Sequence, residues 1–414
     1  MYRFALFVLI VLSLAVNTYA QPAKLILDSQ THQPLPKATI FDKNGRVVGI
    51  ASQRGELPYI SDESYPLSVR YIGYETAVVK SPNSFPVLMR ESVSDLPEIV
   101  VQSRKNQILH LLGYVREYST VTTYSDTVFM FREKLVDFML PGKGVRKFNG
   151  WSHPRVMASK SYYNFKNINC VDSVSDYFPE HFSWCDWVGI QNNIPLPQAL
   201  RNNAFALDTV KGKYTPAVIW KRSEDRVDLD IDILADRANY KYVNALAGYL
   251  DADMDFRRLN IHYLFDNVAD TVADAKNLSA YSFNIESSGR GRNLSRLLLP
   301  PGQPYVETYA EVYIIDSEYI SRKEAAEWQQ RQFNDDLSQF ELPADIPELS
   351  PSIVELIDRV KNSNPDQARL FMQPDKRLGR EQKRMTLLKR LKGMLGIYSQ
   401  KVIYHKPGSR SGNK

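Results

Sequence analysis

Histidine and cysteine are scarce in this chain, and the scarcity excludes several chemistries. The 414 residues include six histidines: His32, His110, His153, His181, His262 and His405. None begins His-x-x-Glu or His-Glu-x-x-His, the spacings that supply a pair of zinc ligands. Gly-x-Ser-x-Gly and the phosphate loop Gly-x-x-x-x-Gly-Lys are also missing, so neither a nucleophile elbow nor a nucleotide cradle is written in the sequence. No cofactor is expected, no metal ligand set stands out, and no catalytic residue can be named. The two cysteines, Cys170 and Cys185, bound the loop CVDSVSDYFPEHFSWC. In an exported chain an even count fits a disulfide, which for a loop of this length stabilises by about 3 kcal/mol in the chain-entropy model. Two unrelated buried thiols are the alternative. After residue 20 no segment reaches the ~18 uninterrupted apolar residues of a membrane-spanning helix.

What is present first points to a compartment. Arg3, the apolar run Phe4 to Val16 and the small residues Thr18 and Ala20 before Gln21 have the layout of a cleaved secretory signal, here residues 1–20. Thirteen apolar residues are short for a bilayer span. Hydrophobic content of 43% and charge of 24% fit a globular chain with a real core. The 24 tyrosines lean toward β structure and stacking surfaces. Charge is uneven. Lys376 to Lys414 carry a net charge of +11 within a chain of +5, so the remainder is −6. The basic character belongs to the tail, and nucleic acid is not an expected partner of the folded part.

Residues 24 to 90 read as short strands broken by turns: AKLIL, KATIFD, RVVGIAS, ELPYI, LSVRYI, YETAVV and FPVLMR, with Asn44-Gly45 as a hairpin signal. Seven such strands predict a β-sandwich over residues 22–101. Gly73 permits a bend between two of them, and Tyr71 and Tyr74 beside it are expected to pack with their hydroxyls in water. Pro34, Leu35, Ala38, Gly55, Gly73, Tyr74 and the closing LPEIVV at Leu96 to Val101 carry a likeness. The segment resembles the carboxypeptidase-regulatory-like domain, a transthyretin-like sandwich. Lys37 and Ser52 depart from it, standing where Gly and Asp are frequent. The resemblance implies an accessory domain, which in envelope proteins of Gram-negative bacteria often follows the signal directly. In zinc carboxypeptidases it follows the catalytic domain, whose first ligand pair this chain lacks.

Beyond it, Ile108, Leu111, Leu112 and Val115 recur at helical spacing, which predicts a helical linker over 102–120. SDTVFMFREKLVDFML and VRKFNGWSHPRVMASKSYYNF, joined by PGKG, predict an antiparallel hairpin. From Tyr214 to Ile320 strict alternation, as in Asp228 to Ile233, predicts one curved antiparallel sheet with a wet face, within a β-rich domain over 121–340. This part resembles uncharacterised β-rich envelope proteins, most of all in AEVYIIDSEYISRKEA. Helices follow over 341–398, then a basic tail over 399–414. The fold class is therefore mainly β: a seven-stranded sandwich, then an antiparallel α+β domain with C-terminal helices.

Five constellations qualify as candidate sites. Asp251, Asp253 and Asp255 resemble the start of a calcium loop, but Phe256 and His262 stand where Gly and Glu are needed. Were their strand beside that of Asp228, Asp230 and Asp232, six acids would collect a hard cation; a solvated face is the plainer reading. Ser287 to Asn293, SSGRGRN, would hold an anion through backbone and guanidinium donors; a mobile loop is the plainer reading. Tyr177, Phe182, Trp184 and Trp187 near the cysteines would stack on a sugar, or form local core. The basic helix at Leu378 to Leu395 carries Arg380, Lys383, Arg384, Lys389, Arg390 and Lys392, a contact for anionic lipid or an acidic partner if it is not packed on its own sheet. Unrecognised carboxylate pairs in residues 120–320 would serve a hydrolase. The expected function is binding or assembly, without catalysis, in the periplasm or at the outer membrane. An envelope protein, a glycan or a lipid surface is the expected partner. A glycan- or peptide-binding module of an uptake system is one alternative and a hydrolase the other. No oligomeric state is legible.

Overall fold

The computed structural model describes residues 24–92, 107–122, 127–165 except 143 and 147, 172–175, 188–237, 240–243, 253–268, 271–290, 305–330 and 346–362. The molecule is mainly β, with 19 strands and two α-helices among these residues. The expected signal over residues 1–20, both cysteines, the aromatic cluster Tyr177 to Trp187 and the expected basic helix with its tail lie outside the described residues.

The N-terminal module holds six short strands: β1 (Ile26–Asp28), β2 (Thr39–Phe41), β3 (Val47–Ile50), β4 (Leu67–Arg70), β5 (Ala77–Val79) and β6 (Val87–Met89). β1 and β6 pair in parallel, and the other four form an antiparallel sheet in the order β3-β2-β4-β5. Ile26, Ile40, Leu67, Val69, Val79 and Met89 from both sheets close one small core. The seventh expected strand, ELPYI, is absent. Only Glu56 makes a bridge, to Leu25, because Pro58 brings no N–H to a ladder.

The second region is one sheet of eleven antiparallel strands. One side of it is built from three 15-residue strands, β7 (Ile108–Thr122), β8 (Thr127–Pro141) and β9 (Trp151–Phe165), with β10 (Asp172–Ser175) at that edge. The remaining main strands are β12 (Phe205–Lys211), β13 (Pro216–Ser223), β14 (Arg226–Asp232), β16 (Asp253–Phe265), β18 (Leu278–Arg290) and β19 (Tyr305–Ile320). The order runs β10-β9-β8-β7-β19-β18-β16-β14-β13-β12, and β15 (Tyr240–Val243) pairs with β16 beside this path. A small pair, β11 (Ile194–Pro195) and β17 (Val272–Ala273), stands apart.

The expected helical linker over 102–120 is thus a 15-residue strand, β7, with β8 on one side and β19 on the other. Its apolar residues met a helical period because both faces of the strand are buried, so the two-residue alternation is lost. Tyr114, Val115, Tyr118, Thr120, Val121 and Thr122 supply the β-branched and aromatic weight of a strand. The expected hairpin of β8 and β9 forms as an antiparallel pair.

The sheet is curved. Phe138 on β8 and Tyr281 on β18 are separated by three strand steps, about 14 Å in a flat sheet, yet their ring centroids lie 6.5 Å apart. The segment 188–190 crosses this concave side. Ile190 donates to the Ser152 carbonyl on β9, and Tyr263 on β16 donates to the Gly189 carbonyl. Leu111, Val115, Val136, Phe283, Ile285 and Val312 line the concave core. The convex face carries the N-terminal module, α1 (Arg322–Gln330) and α2 (Pro351–Asn362). Ser321 and Glu324 cap α1 reciprocally. Ile353, Leu356, Ile357 and Val360 of α2 pack on Phe129, Phe131 and Tyr162 of the sheet.

Candidate functional site: the polar seam between module and sheet

The alternating aspartates of β14 share one face, as expected; it is the convex one, and it is not wet. The module covers it, leaving Asp228 7% and Asp230 5% exposed. Strand register brings His262 of β16 opposite Asp230. Its Nδ1 lies 2.9 Å from an Asp230 oxygen, and its Nε2 lies 3.3 Å from Asp228. The second contact is charge against charge rather than an aligned hydrogen bond. Burial by itself would lower the imidazole; the two carboxylates outweigh it and lift His262 to about 9. Burial likewise works to raise Asp228, but His262 and Arg226 win and hold it below the ordinary range.

Above the imidazole lies Tyr71 of the module, its ring 4.9 Å from that of His262 and its hydroxyl 3.4 Å from Nδ1. Burial, then Asp230 and Asp228, push that hydroxyl well above its usual range. Lys37 stands beside the same acids; burial lowers it more than Asp230 and Asp232 raise it. It adopts φ +62°, a left-handed conformation that Gly takes without strain. Further along, Arg70 donates to the Tyr118 hydroxyl at 2.6 Å and pairs with Glu311 at 2.8 Å, both charges nearly fully buried. Thr39 reaches Asn284, and Phe41 packs edge-on to Tyr118 and Tyr309. The cavity among Lys37, Tyr71, Asp230, Asn260 and His262 measures about 10 Å³, room for one water at most.

Gly73 does turn the chain, at φ +78°, but close approach matters as much. A Cβ there would lie 1.9 Å from the Arg226 guanidinium, which donates to the Gly73 carbonyl and pairs with Glu91. The hydroxyls of Tyr71 and Tyr74 are not in water. Tyr74 donates to Asp28 at 2.6 Å and to Glu91, and Tyr71 sits on His262.

Two further polar clusters serve the sheet itself. On the concave side Glu117 pairs with Arg132 at 3.3 Å and Lys134 at 3.4 Å, and Arg132 donates to Ser161. On the convex side Arg155 grips Asp137 and lies over the Trp151 ring, while His110 stacks on Trp328 of α1.

The five of the six acids that lie among the described residues do not share one stretch of the sheet. In the β14–β16 ladder Asp228 faces Leu264 and Asp232 faces Asn260, while Asp253 and Asp255 lie farther along β16 beside β15 and β18; Asp251 is outside the described residues. Among the described residues no three His, Cys, Asp or Glu side chains are grouped to hold a metal. The SSGRGRN stretch is partly strand: Ser287 to Arg290 end β18, with Ser287 and Ser288 paired to both β16 and β19 and Gly289 and Arg290 to β16, and 291–293 lie outside the described residues. Cys170, Cys185, Tyr177, Phe182, Trp184, Trp187, Arg380, Lys383, Arg384, Lys389, Arg390 and Lys392 also lie outside them. Lys37 and His262 were not singled out as a pair in the sequence. The signal was NIHY within an alternating strand, which places His262 on the side of Asn260 and away from Ile261 and Tyr263.

No protein-family model matches the chain, and no curated protein matches it. Among solved structures, one described as "Lipid-protein interactions in lipovitellin" overlaps 52% of this chain at 7% identity with a TM-score of 0.21. This chain spans about a quarter of that one, 25%.

Proposed function

We propose that this is an exported protein of the cell envelope that works by binding or assembly in the periplasm or at the outer membrane, without catalysis. In this reading the N-terminal module is a carboxypeptidase-regulatory-like, transthyretin-like sandwich serving as a fixed cap on the large sheet. One observation carries the reading. The constellation richest in acid–base groups, Asp228, Asp230, His262 and Tyr71, is closed over a cavity of about 10 Å³, with both aspartates committed to His262 and Tyr71 of the module set on that imidazole. A hydrolase would need room for a substrate between two carboxylates, several ångströms apart at the least. The seam works as a weld, and the surfaces left for partners lie elsewhere.

The test is co-purification of the tagged mature chain from envelope membranes, with and without residues 376–414. Envelope proteins or lipid retained only with the tail present support assembly through the basic segment carrying Arg380 to Lys392. Nothing retained in either form sinks the assembly reading. A peptide-binding module is the second reading, favoured by the edge strand β12, whose outer side no strand pairs among the described residues.

A further inference from the structure

β12 ends the eleven-stranded sheet, and among the described residues no strand pairs with its outer side. Its ladder to β13 runs from Phe205↔Ser223 to Val210↔Val218, and the Glu224 N–H donates to the Ala204 carbonyl in the same register. That bond makes Ala204, Ala206 and Asp208 the residues whose backbone groups point inward, because bonded and non-bonded pairs alternate in an antiparallel ladder. The N–H and C=O of Phe205, Leu207 and Thr209 therefore point out of the sheet. The Thr209 N–H confirms the direction: the Asp208 carboxylate folds over to accept from it at 2.9 Å, a local stand-in for a neighbouring strand.

The same stretch presents unusual side chains for an edge. Phe205 is 68% and Leu207 65% exposed. Both project on the convex face, whose other β12 and β13 members include Thr209, Ile219 and Lys221. Exposed cations bracket the apolar pair, Arg201 before it and Lys211 and Lys213 after it.

We propose that β12 is a strand-addition site for an extended segment of another protein, apolar at alternate central positions and acidic toward both ends. The proposal rests on the binding reading above and names the partner's chemistry. Outward backbone groups give the pairing, Phe205 and Leu207 give an apolar shelf on one face, and the flanking cations favour acidic ends. A second copy fits less well. Two-fold pairing through Phe205, Leu207 and Thr209 centres on Leu207 and sets Arg201 opposite the copy's Lys213. Shifting the centre to Asp208 sets that carboxylate opposite itself. Like charges directly opposite destabilise a strand pair.

The test titrates the full mature chain into a fluorescein-labelled peptide, DEVTVTVED, followed by anisotropy. Two companions are the same peptide N-methylated at alternate residues on its pairing edge, and KKVTVTVKK. The protein variant is Leu207→Pro, which removes an outward N–H and leaves the bonds to β13 intact, since an edge strand tolerates Pro where the N–H faces away from the sheet. Saturable binding is expected for DEVTVTVED, weakened about tenfold or more by Leu207→Pro, by N-methylation and by charge reversal, as the loss of one or two charge-assisted or backbone bonds dictates. No saturable binding, or equal binding of the N-methylated peptide, overturns the proposal without any protein variant having to fold. A concentration-dependent dimer that Leu207→Pro abolishes also overturns it, since the occupant would be a second copy. Envelope co-purification that depends on residues 376–414 would stand whichever way the peptide result falls.

Discussion

At the scale of single residues, His262 is the most informative. Its folded pKa, about 9, lies above the ordinary 6.5, so the stability it contributes is full below that ordinary value and is lost as pH rises through 9. The size is on the order of 3 kcal/mol. Asp228 behaves oppositely: held below its ordinary 3.8, it contributes above that pH and loses the contribution in acid. Lys37, whose pKa is lowered, relieves a penalty as it deprotonates and partly masks the His262 loss in alkali. Comparing wild type with His262→Gln isolates the histidine. Urea unfolding at pH 6, 7.5 and 10 is expected to show a large difference between the two proteins at pH 6 that shrinks by pH 10. A difference that stays constant across the range would mean the imidazole is not held as a cation. Gly73 gives a second residue-scale prediction. Gly73→Ala must adopt φ +78° and displace the Arg226 guanidinium. It is expected to cost about 2 kcal/mol or more. Adding Arg226→Ala should recover the steric part and leave the backbone part, so the two changes are non-additive. Strict additivity in denaturant unfolding would refute the close approach.

At the scale of elements, β4 and β19 meet through one buried ion pair, Arg70 and Glu311. Removing one partner strands the other charge. Arg70→Leu is therefore expected to destabilise by about 3–5 kcal/mol, and the double variant Arg70→Leu, Glu311→Leu to recover most of it. Thermal denaturation of the three proteins checks this; a double variant as unstable as the single would show that hydrogen bonds to Tyr118 and Tyr309 carry the junction instead. The same elements show what sequence could and could not convey. β14 was legible because Asp228 to Ile233 alternate strictly, with one face apolar against the concave core. β7 was not, because helices and module on one side and the concave core on the other bury both its faces and erase the period that marks a strand. The polarity of β14's outer face reads as solvation in the sequence, whereas in the molecule it meets the module. Nothing local distinguishes the two, since the groups that meet Asp230, namely Tyr71 and His262, are supplied by β16 and by a module about 160 residues away. ELPYI reads as a strand by composition, but Pro58 brings no N–H, and that single residue is the local signal against a ladder.

At the scale of the molecule, the question is whether module and sheet are one cooperative unit. Salt bridges alone would not ensure it. If the module lifted off, Asp228, Glu311, His262 and Arg70 would regain water, and solvation would offset much of the lost attraction. The apolar part decides the matter. Phe41 of the module shares one cluster with Tyr118, Phe131 and Tyr309 of the sheet and with Ile353 and Leu356 of α2. Undocking would expose aromatic surface on three elements at once, which at ~25 cal/mol per Å² has no comparable return from solvent. The buried polar groups then set the register of docking, and the apolar cluster holds it. The expected consequence is that a cavity confined to the module's own core weakens the distant sheet. Ile40→Ala, at a fully buried site, should destabilise by about 2–4 kcal/mol. Hydrogen exchange in β18 and β19 should accelerate by the factor set by that loss, although no atom of either strand is altered. Native protection in those strands while the module exchanges freely would instead describe a tethered domain, and the fixed cap on which the binding reading depends would have to be given up.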